Sequence, residues 1–133
     1  TLNELDERIG ELICEGSDKV CIGIDTKTIR RKEWDTFGLK ILNILPSQDF
    51  DITVSPANPL GYKKDLSPIT GTPLTVYPES RTIFIKQNEE VKVGIGIQVP
   101  AEAVSGTYIL NVNIKTNGIN YGSVQKLYVE VLD

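Results

Sequence analysis

The chain of 133 residues is 40% apolar and carries a formal charge of −4, the size and make-up of one domain with one ordinary core. Its 14 basic residues are scattered, with Arg30-Arg31-Lys32 the one triplet, so the basic stripe that would neutralise nucleic-acid phosphates is missing and no nucleic-acid partner is expected. The absence of His excludes Ser-His-Asp and Cys-His catalysis and removes a usual zinc ligand.

No apolar run approaches the roughly 20 residues that cross a bilayer as a helix, and no signal peptide is visible. There is no Met, even at position 1. A segment upstream of Thr1 is therefore expected, and any membrane contact is expected to run through it.

Taken in chain order, the first element reads as a helix. Leu2, Leu5, Ile9, Leu12 and Ile13 recur at three- and four-residue steps among polar residues, and Gly16 stands where a helix would stop. Early acidic side chains suit the positive helix end. Cys14 and Cys21 match neither C-x-x-C nor metal-ligand spacing. A disulfide closing Glu15–Val20 is expected, worth about 2.5 kcal/mol in the chain-entropy model, with two free thiols as the alternative. Such a bridge belongs to an oxidising compartment or to some hyperthermophiles. Residues 1–25 are thus read as a helix and disulfide loop packed on, or leading into, a main domain over 26–133.

The period then changes to two. Val20, Ile22 and Ile24 alternate with polar or small residues, and Thr28–Lys32 reads as a short charged strand whose triplet sits at a hairpin end or exposed edge. Alternation recurs at Phe37–Ile41 and Phe50–Val54. From Pro56 to Pro73 it vanishes among four Pro and two Gly, which predicts a long loop. Loops beyond about 12–15 residues are usually functional or mobile, so Tyr62, with Lys63 and Lys64 beside it, is a candidate interaction loop, with plain capping of one sandwich end as the competing and favoured account. Leu74–Tyr77, Ile83–Ile85, Val91–Val99, Tyr108–Ile114 and Leu127–Val131 complete the strands, and Asn117-Gly118 marks a turn. About seven principal strands without interleaved helices predict an all-β antiparallel sandwich.

Little here points to chemistry. Ser55, Ser67 and Ser80 lack a nucleophile motif, and Glu89-Glu90 reads as a solvated turn rather than a glycosidase pair. Asp18, Asp25, Asp35, Asp49 and Asp51 lie near turns without calcium-loop spacing. No catalytic residue, metal or cofactor is expected. Gly94-x-Gly96 lies inside an alternating strand, so its glycines are expected to admit a neighbouring chain or aromatic ring rather than a nucleotide. Trp34, the one Trp, is expected to pack in the core or at an edge, with sugar stacking as the alternative. No Asn lies in an N-x-Ser/Thr sequon.

One segment carries a resemblance. In Val99-Pro100-Ala101-Glu102-Ala103-Val104-Ser105-Gly106-Thr107-Tyr108, a strand ends at Pro and a short loop reaches Gly-Thr-Tyr before the next strand. This resembles the P-x-x-A-x-x-G-x-Y link of bacterial and archaeal immunoglobulin-like extracellular modules. Tyr108 is placed like the tyrosine of a tyrosine corner, whose hydroxyl bonds back to upstream backbone. Tyr121-Gly122 and Tyr128–Val131 are similar to the final strand of such modules, and Arg30–Asn43 to their opening. A helix before a sandwich resembles the layout of archaeal pilin-like and archaellum-associated surface proteins. The resemblance implies an extracellular structural or interaction domain, membrane-anchored in the full-length protein. Its partners would be envelope or surface-filament proteins, and it is compatible with a homo-oligomer. The alternative is a carbohydrate-binding or spacer module of a larger secreted enzyme.

Overall fold

The computed structural model describes Cys14 and residues 19–133. The helix expected at the start lies outside the described residues. No helix occurs between residues 19 and 133, and none among the described residues is long and apolar enough to cross a membrane.

Ten strands form: β1 (Val20–Ile22), β2 (Thr26–Thr28), β3 (Trp34–Leu42), β4 (Gln48–Tyr62), β5 (Thr75–Tyr77), β6 (Ser80–Ile85), β7 (Glu90–Gln98), β8 (Gly106–Thr116), β9 (Ile119–Asn120) and β10 (Gln125–Val131). They make a four-stranded sheet, β1-β3-β7-β5, and a six-stranded sheet, β2-β10-β8-β4-β6, with β9 paired to β8. The expected all-β sandwich is present, and the expected count of about seven strands is corrected to ten. The surplus has a simple origin. Two short stretches are each divided between the sheets, so that β1 pairs with β3 while β2 pairs with β10, and β5 pairs with β7 while β6 pairs with β4. A short β9 hairpin adds the last. β2 and β10 run parallel, and the other strand pairs are antiparallel.

The core lies between the sheets and follows the period-two pattern. Phe37, Leu39 and Ile41 of β3 face Phe50, Ile52 and Val54 of β4, joined by Val93, Ile95 and Ile97 of β7, Leu110 and Val112 of β8, and Leu127, Val129 and Val131 of β10. β1 lies in the segment read as a flanking loop, yet Val20 and Ile22 belong to this core. Tyr121 is also buried there, between β9 and β10 rather than in the final strand. Its hydroxyl donates to the Leu42 carbonyl at 2.5 Å and accepts from the Ile44 N–H at 3.0 Å. Its ring meets Phe50 edge-on at 4.9 Å. Asn43, fully buried after β3, gives Nδ2 to the Ile85 carbonyl and accepts the Leu45 N–H, satisfying backbone where both sheets turn.

Two further expectations need correction. Thr28–Lys32 is not a strand. β2 ends at Thr28, Ile29 drops into the core, and Arg30–Lys32 form a turn in which Lys32 has φ +71°. Pro56–Tyr62 do not open a loop. They extend β4 to 15 residues, with a register shift against β8 between Pro56 and Gly61. Proline has no N–H for the ladder, and an irregularity of this kind lets a strand continue past it.

Candidate interaction site

The loop left after β4 begins at Lys63, at one corner of the six-stranded sheet. Glycine makes this corner possible. A Cβ on Gly61 would overlap the Thr107 carbonyl oxygen and lie 2.7 Å from the Tyr108 Cα. Gly106 has φ +149°, and a Cβ there would lie 2.6 Å from the Tyr62 carbonyl oxygen and 2.9 Å from Ile69 Cδ1. Each strand thus needs a residue without a side chain where the other crosses it. The Gly of the Gly106-Thr107-Tyr108 segment is the seat on which the Tyr62–Lys63 backbone rests.

The loop folds on itself above that seat. Lys63 N–H donates to the Ser67 carbonyl and Leu66 N–H to the Lys63 carbonyl, both at 2.8 Å. The Asp65 carboxylate accepts from the Ser67 hydroxyl at 2.5 Å and from the Ser67 N–H at 3.0 Å. These bonds, the hydroxyl's first, hold the Asp65 carboxyl below its ordinary pKa, with Lys63 adding a smaller pull. Ile69 then enters the core, its N–H bonded to the Gly61 carbonyl.

Opposite the loop stands the turn between β7 and β8. Tyr108 is buried, and its hydroxyl donates to the Val104 carbonyl at 2.9 Å, the geometry of a tyrosine corner. Burial raises the Tyr108 pKa, against the opposing influence of the Val104 bond and Arg31. Arg31 ties the same turn to the end of β10. Its guanidinium donates to the Ala103 carbonyl at 2.8 Å, the Leu132 carbonyl at 2.9 Å and the Ser105 hydroxyl at 3.1 Å. The basic triplet therefore serves a turn and a clamp, not a charged strand.

Between loop, turn and strand end lies an open cleft of about 690 Å³, lined by Tyr62, Lys63, Lys64, Val104, Thr107 and Glu130 among others. The expected interaction residues Tyr62, Lys63 and Lys64 stand together on its wall, and all three are exposed. Tyr108 reaches the same corner from beneath through its bond to Val104.

The disulfide lies on the other sheet. Cys14 and Cys21 are bonded, with Cα atoms 5.9 Å apart, and Cys21 sits opposite Lys40 in the β1–β3 register. The Lys40 ammonium donates to the Cys14 carbonyl at 3.2 Å.

Trp34 is the residue sequence reasoning misplaced. It is 63% exposed, on the outer face of the four-stranded sheet, and packs in no core. Alternation explains the miss: Phe37, Leu39 and Ile41 point inward, so Trp34, on the opposite parity of β3, points outward. Gly94 and Gly96 share that face, and a Cβ on Gly96 would come within 3.3 Å of the Tyr77 carbonyl oxygen and 3.7 Å of the Trp34 ring. Gly96 thus meets a neighbouring strand and an aromatic ring, whereas a Cβ on Gly94 would meet the Thr36 methyl at 3.2 Å.

No family model matches the chain, and no curated protein does either. Solved structures do. The chain is similar over 84% of its length to part of a family 123 glycoside hydrolase from Clostridium perfringens, at 12% identity and a TM-score of 0.56, spanning 23% of that chain. It is similar to PapD-like domain 7 of human CEP192, at 16% identity and a TM-score of 0.51, covering 86% of both chains. It also resembles the CupB2 chaperone of Pseudomonas aeruginosa, at 12% identity and a TM-score of 0.51, over 84% of this chain and 55% of that one. Identities this low speak to architecture alone, and the architecture is a two-sheet, immunoglobulin-like sandwich of the PapD-like form.

Proposed function

We propose that this chain is a non-catalytic structural or interaction ectodomain acting outside the cytoplasm. It is the soluble part of a membrane-anchored or filament-forming archaeal surface protein, pilin-like or archaellum-associated. The observation that carries this reading is the use of polar groups at the corner cleft. Arg31, Asp65, Ser67 and Tyr108 are committed to bonds that hold the corner's shape, while Tyr62, Lys63 and Lys64 face outward. A rigid corner presenting one aromatic ring and two ammonium groups is suited to recognition. The Cys14–Cys21 bridge supports an oxidising compartment.

Assembly then uses this corner together with strand edges. β6 is the outer strand of the six-stranded sheet, and its Phe84 is 58% exposed. An open edge of this kind pairs with a strand from another chain. The partners are envelope or filament proteins, including further copies of this chain, and the upstream segment supplies the membrane contact.

The test is the whole polypeptide from its native cells, by N-terminal sequencing and intact mass. An apolar helix of about 20 residues before Thr1 is expected. A catalytic domain in that place would overturn the proposal and make the sandwich an accessory module. Lys63→Glu with Lys64→Glu is expected to weaken retention in the envelope fraction, and full retention would remove the corner from the interface.

A further inference from the structure

The outer face of the four-stranded sheet has an unusual surface. In register, Trp34 lies opposite Gln98, which lies opposite Thr75. One step along the same face, Thr36 lies opposite Gly96, which lies opposite Tyr77, and beyond them Gly38 faces Gly94. Trp34 and Tyr77 therefore stand diagonally over Gly96, which is buried beside them, with exposed Gly94 continuing the floor. The result is a trough of about 530 Å³, within the usual 300–1,000 Å³ of small-ligand sites. Arg81, from β6 of the other sheet, closes one side.

Folding accounts for only part of this arrangement, because the contacts that favour glycine here, the Tyr77 carbonyl oxygen at 3.3 Å from a Cβ on Gly96 and the Thr36 methyl at 3.2 Å from one on Gly94, are tight without being forbidden. Glycine inside a strand costs about 0.5–1 kcal/mol relative to alanine, and β7 is an interior strand. Trp34 and Tyr77 are 63% and 78% exposed, so neither ring is held there by burial. Arg81 forms no hydrogen bond or ion pair among the described residues. Two open rings, a side-chain-free floor, the Gln98 amide and an uncommitted guanidinium are the parts of a binding surface.

We propose that this trough binds an acidic polysaccharide containing hexuronate. The C–H face of a pyranose ring carries slight positive charge and is apolar, which suits the negative face of the Trp34 indole. With no side chain rising from Gly94 or Gly96, the sugar ring can lie against the exposed faces of Trp34 and Tyr77. Gln98 gives one amide N–H to the Lys32 carbonyl at 3.3 Å and keeps its amide oxygen and second N–H for ring hydroxyls. The Arg81 guanidinium takes the carboxylate of the same or a neighbouring sugar, in the paired geometry that guanidinium and carboxylate share. The site is on the opposite sheet from the corner cleft and does not depend on it.

Trp34 is the chain's sole Trp, so its fluorescence reports on this site alone. The experiment titrates the 133-residue chain with tetragalacturonate, with a neutral tetrasaccharide of glucose, and with a proline-rich peptide. A saturable change in Trp34 emission with tetragalacturonate is expected, much weaker with the neutral sugar. Arg81→Gln is expected to lower affinity for the acidic sugar about tenfold, as for a lost charge-assisted bond. Gly96→Ala is expected to abolish binding while the denaturation midpoint stays within a degree or two, and Lys63→Glu to leave binding unchanged. No response to either sugar would overturn the proposal, as would equal binding of both sugars with Arg81→Gln inert. So would a response to the peptide alone, which would make the trough a protein-docking groove.

Discussion

The corner at Gly61 and Gly106 and the trough at Gly94 and Gly96 are both built on glycine, and under different constraints. At the corner a side chain is forbidden, because a Cβ on Gly61 or Gly106 would strike the backbone of the crossing segment. In the trough the nearest atoms to a Cβ on Gly96 are 3.3 Å away or more, and at Gly94 the one neighbour is the Thr36 methyl at 3.2 Å. The corner's polar side chains are hydrogen-bonded to one another and to backbone, whereas the trough's rings and guanidinium face solvent. One glycine set is fixed by folding, and the other is constrained by it only lightly.

The sharpest way to break this contrast is Gly61→Ala. With backbone atoms as the obstacle, overpacking is expected to cost at least about 3 kcal/mol, read by equilibrium urea denaturation. A variant as stable as the parent would show that the corner is not locked. Replacing both cysteines by Ser comes next, at about 2.5 kcal/mol. That loss should match the effect of reduction on the parent protein, and a mismatch would assign the difference to the side chains themselves. Tyr108→Phe removes only the hydroxyl bond to Val104 and should lower stability by about 1 kcal/mol, with the circular dichroism spectrum unchanged. Equal midpoints for Tyr108→Phe and the parent would mean that the corner does not need its tyrosine. Gly96→Ala should move stability by less than about 1 kcal/mol, since the strand preference for alanine opposes a tight contact. A loss as large as that of Gly61→Ala would erase the contrast.

The smallest effect concerns Asp65. Its folded pKa is depressed by the Ser67 bonds, so its contribution to stability is present above the unfolded value and fades as pH falls through the folded one. The carboxyl carbon should titrate below the ordinary 3.8 by NMR. Ser67→Ala should move the midpoint part of the way back toward that value, and an unmoved midpoint would assign the shift to the residue 67 N–H and Lys63 rather than to the hydroxyl.

Much of the sandwich was legible because a buried sheet face imposes period two on its strand. Val91 to Val99 and Tyr108 to Ile114 announce their own inward faces. The same rule failed at the margins. Pro56 and Pro59 signal a loop to any reading based on proline, yet β4 runs through them because its register against β8 shifts there. Thr28–Lys32 looked like a strand because three charges beside Ile29 mimic an exposed edge, while Arg31 was needed as a clamp on Ala103 and Leu132 far away in sequence. Tyr121 carried no local signal of burial. Its two hydroxyl bonds go to residues Leu42 and Ile44, on the other sheet's connection.

The candidate surfaces divide in the same way. Tyr62, Lys63 and Lys64 could be singled out because a proline-rich break in periodicity is a local feature. Trp34 could not be joined to Tyr77 and Arg81, since the three lie on different strands and Arg81 comes from the opposite sheet.

Alternation, turn residues and the spacing of Pro100 to Tyr108 were enough to determine a two-sheet β fold with its core residues, because those depend on neighbours within a few positions. Strand order, the division of short stretches between the two sheets, the corner lock and the trough were decided only in three dimensions. Each of them depends on which distant backbone passes a given glycine or arginine, and nothing local in the chain encodes that meeting.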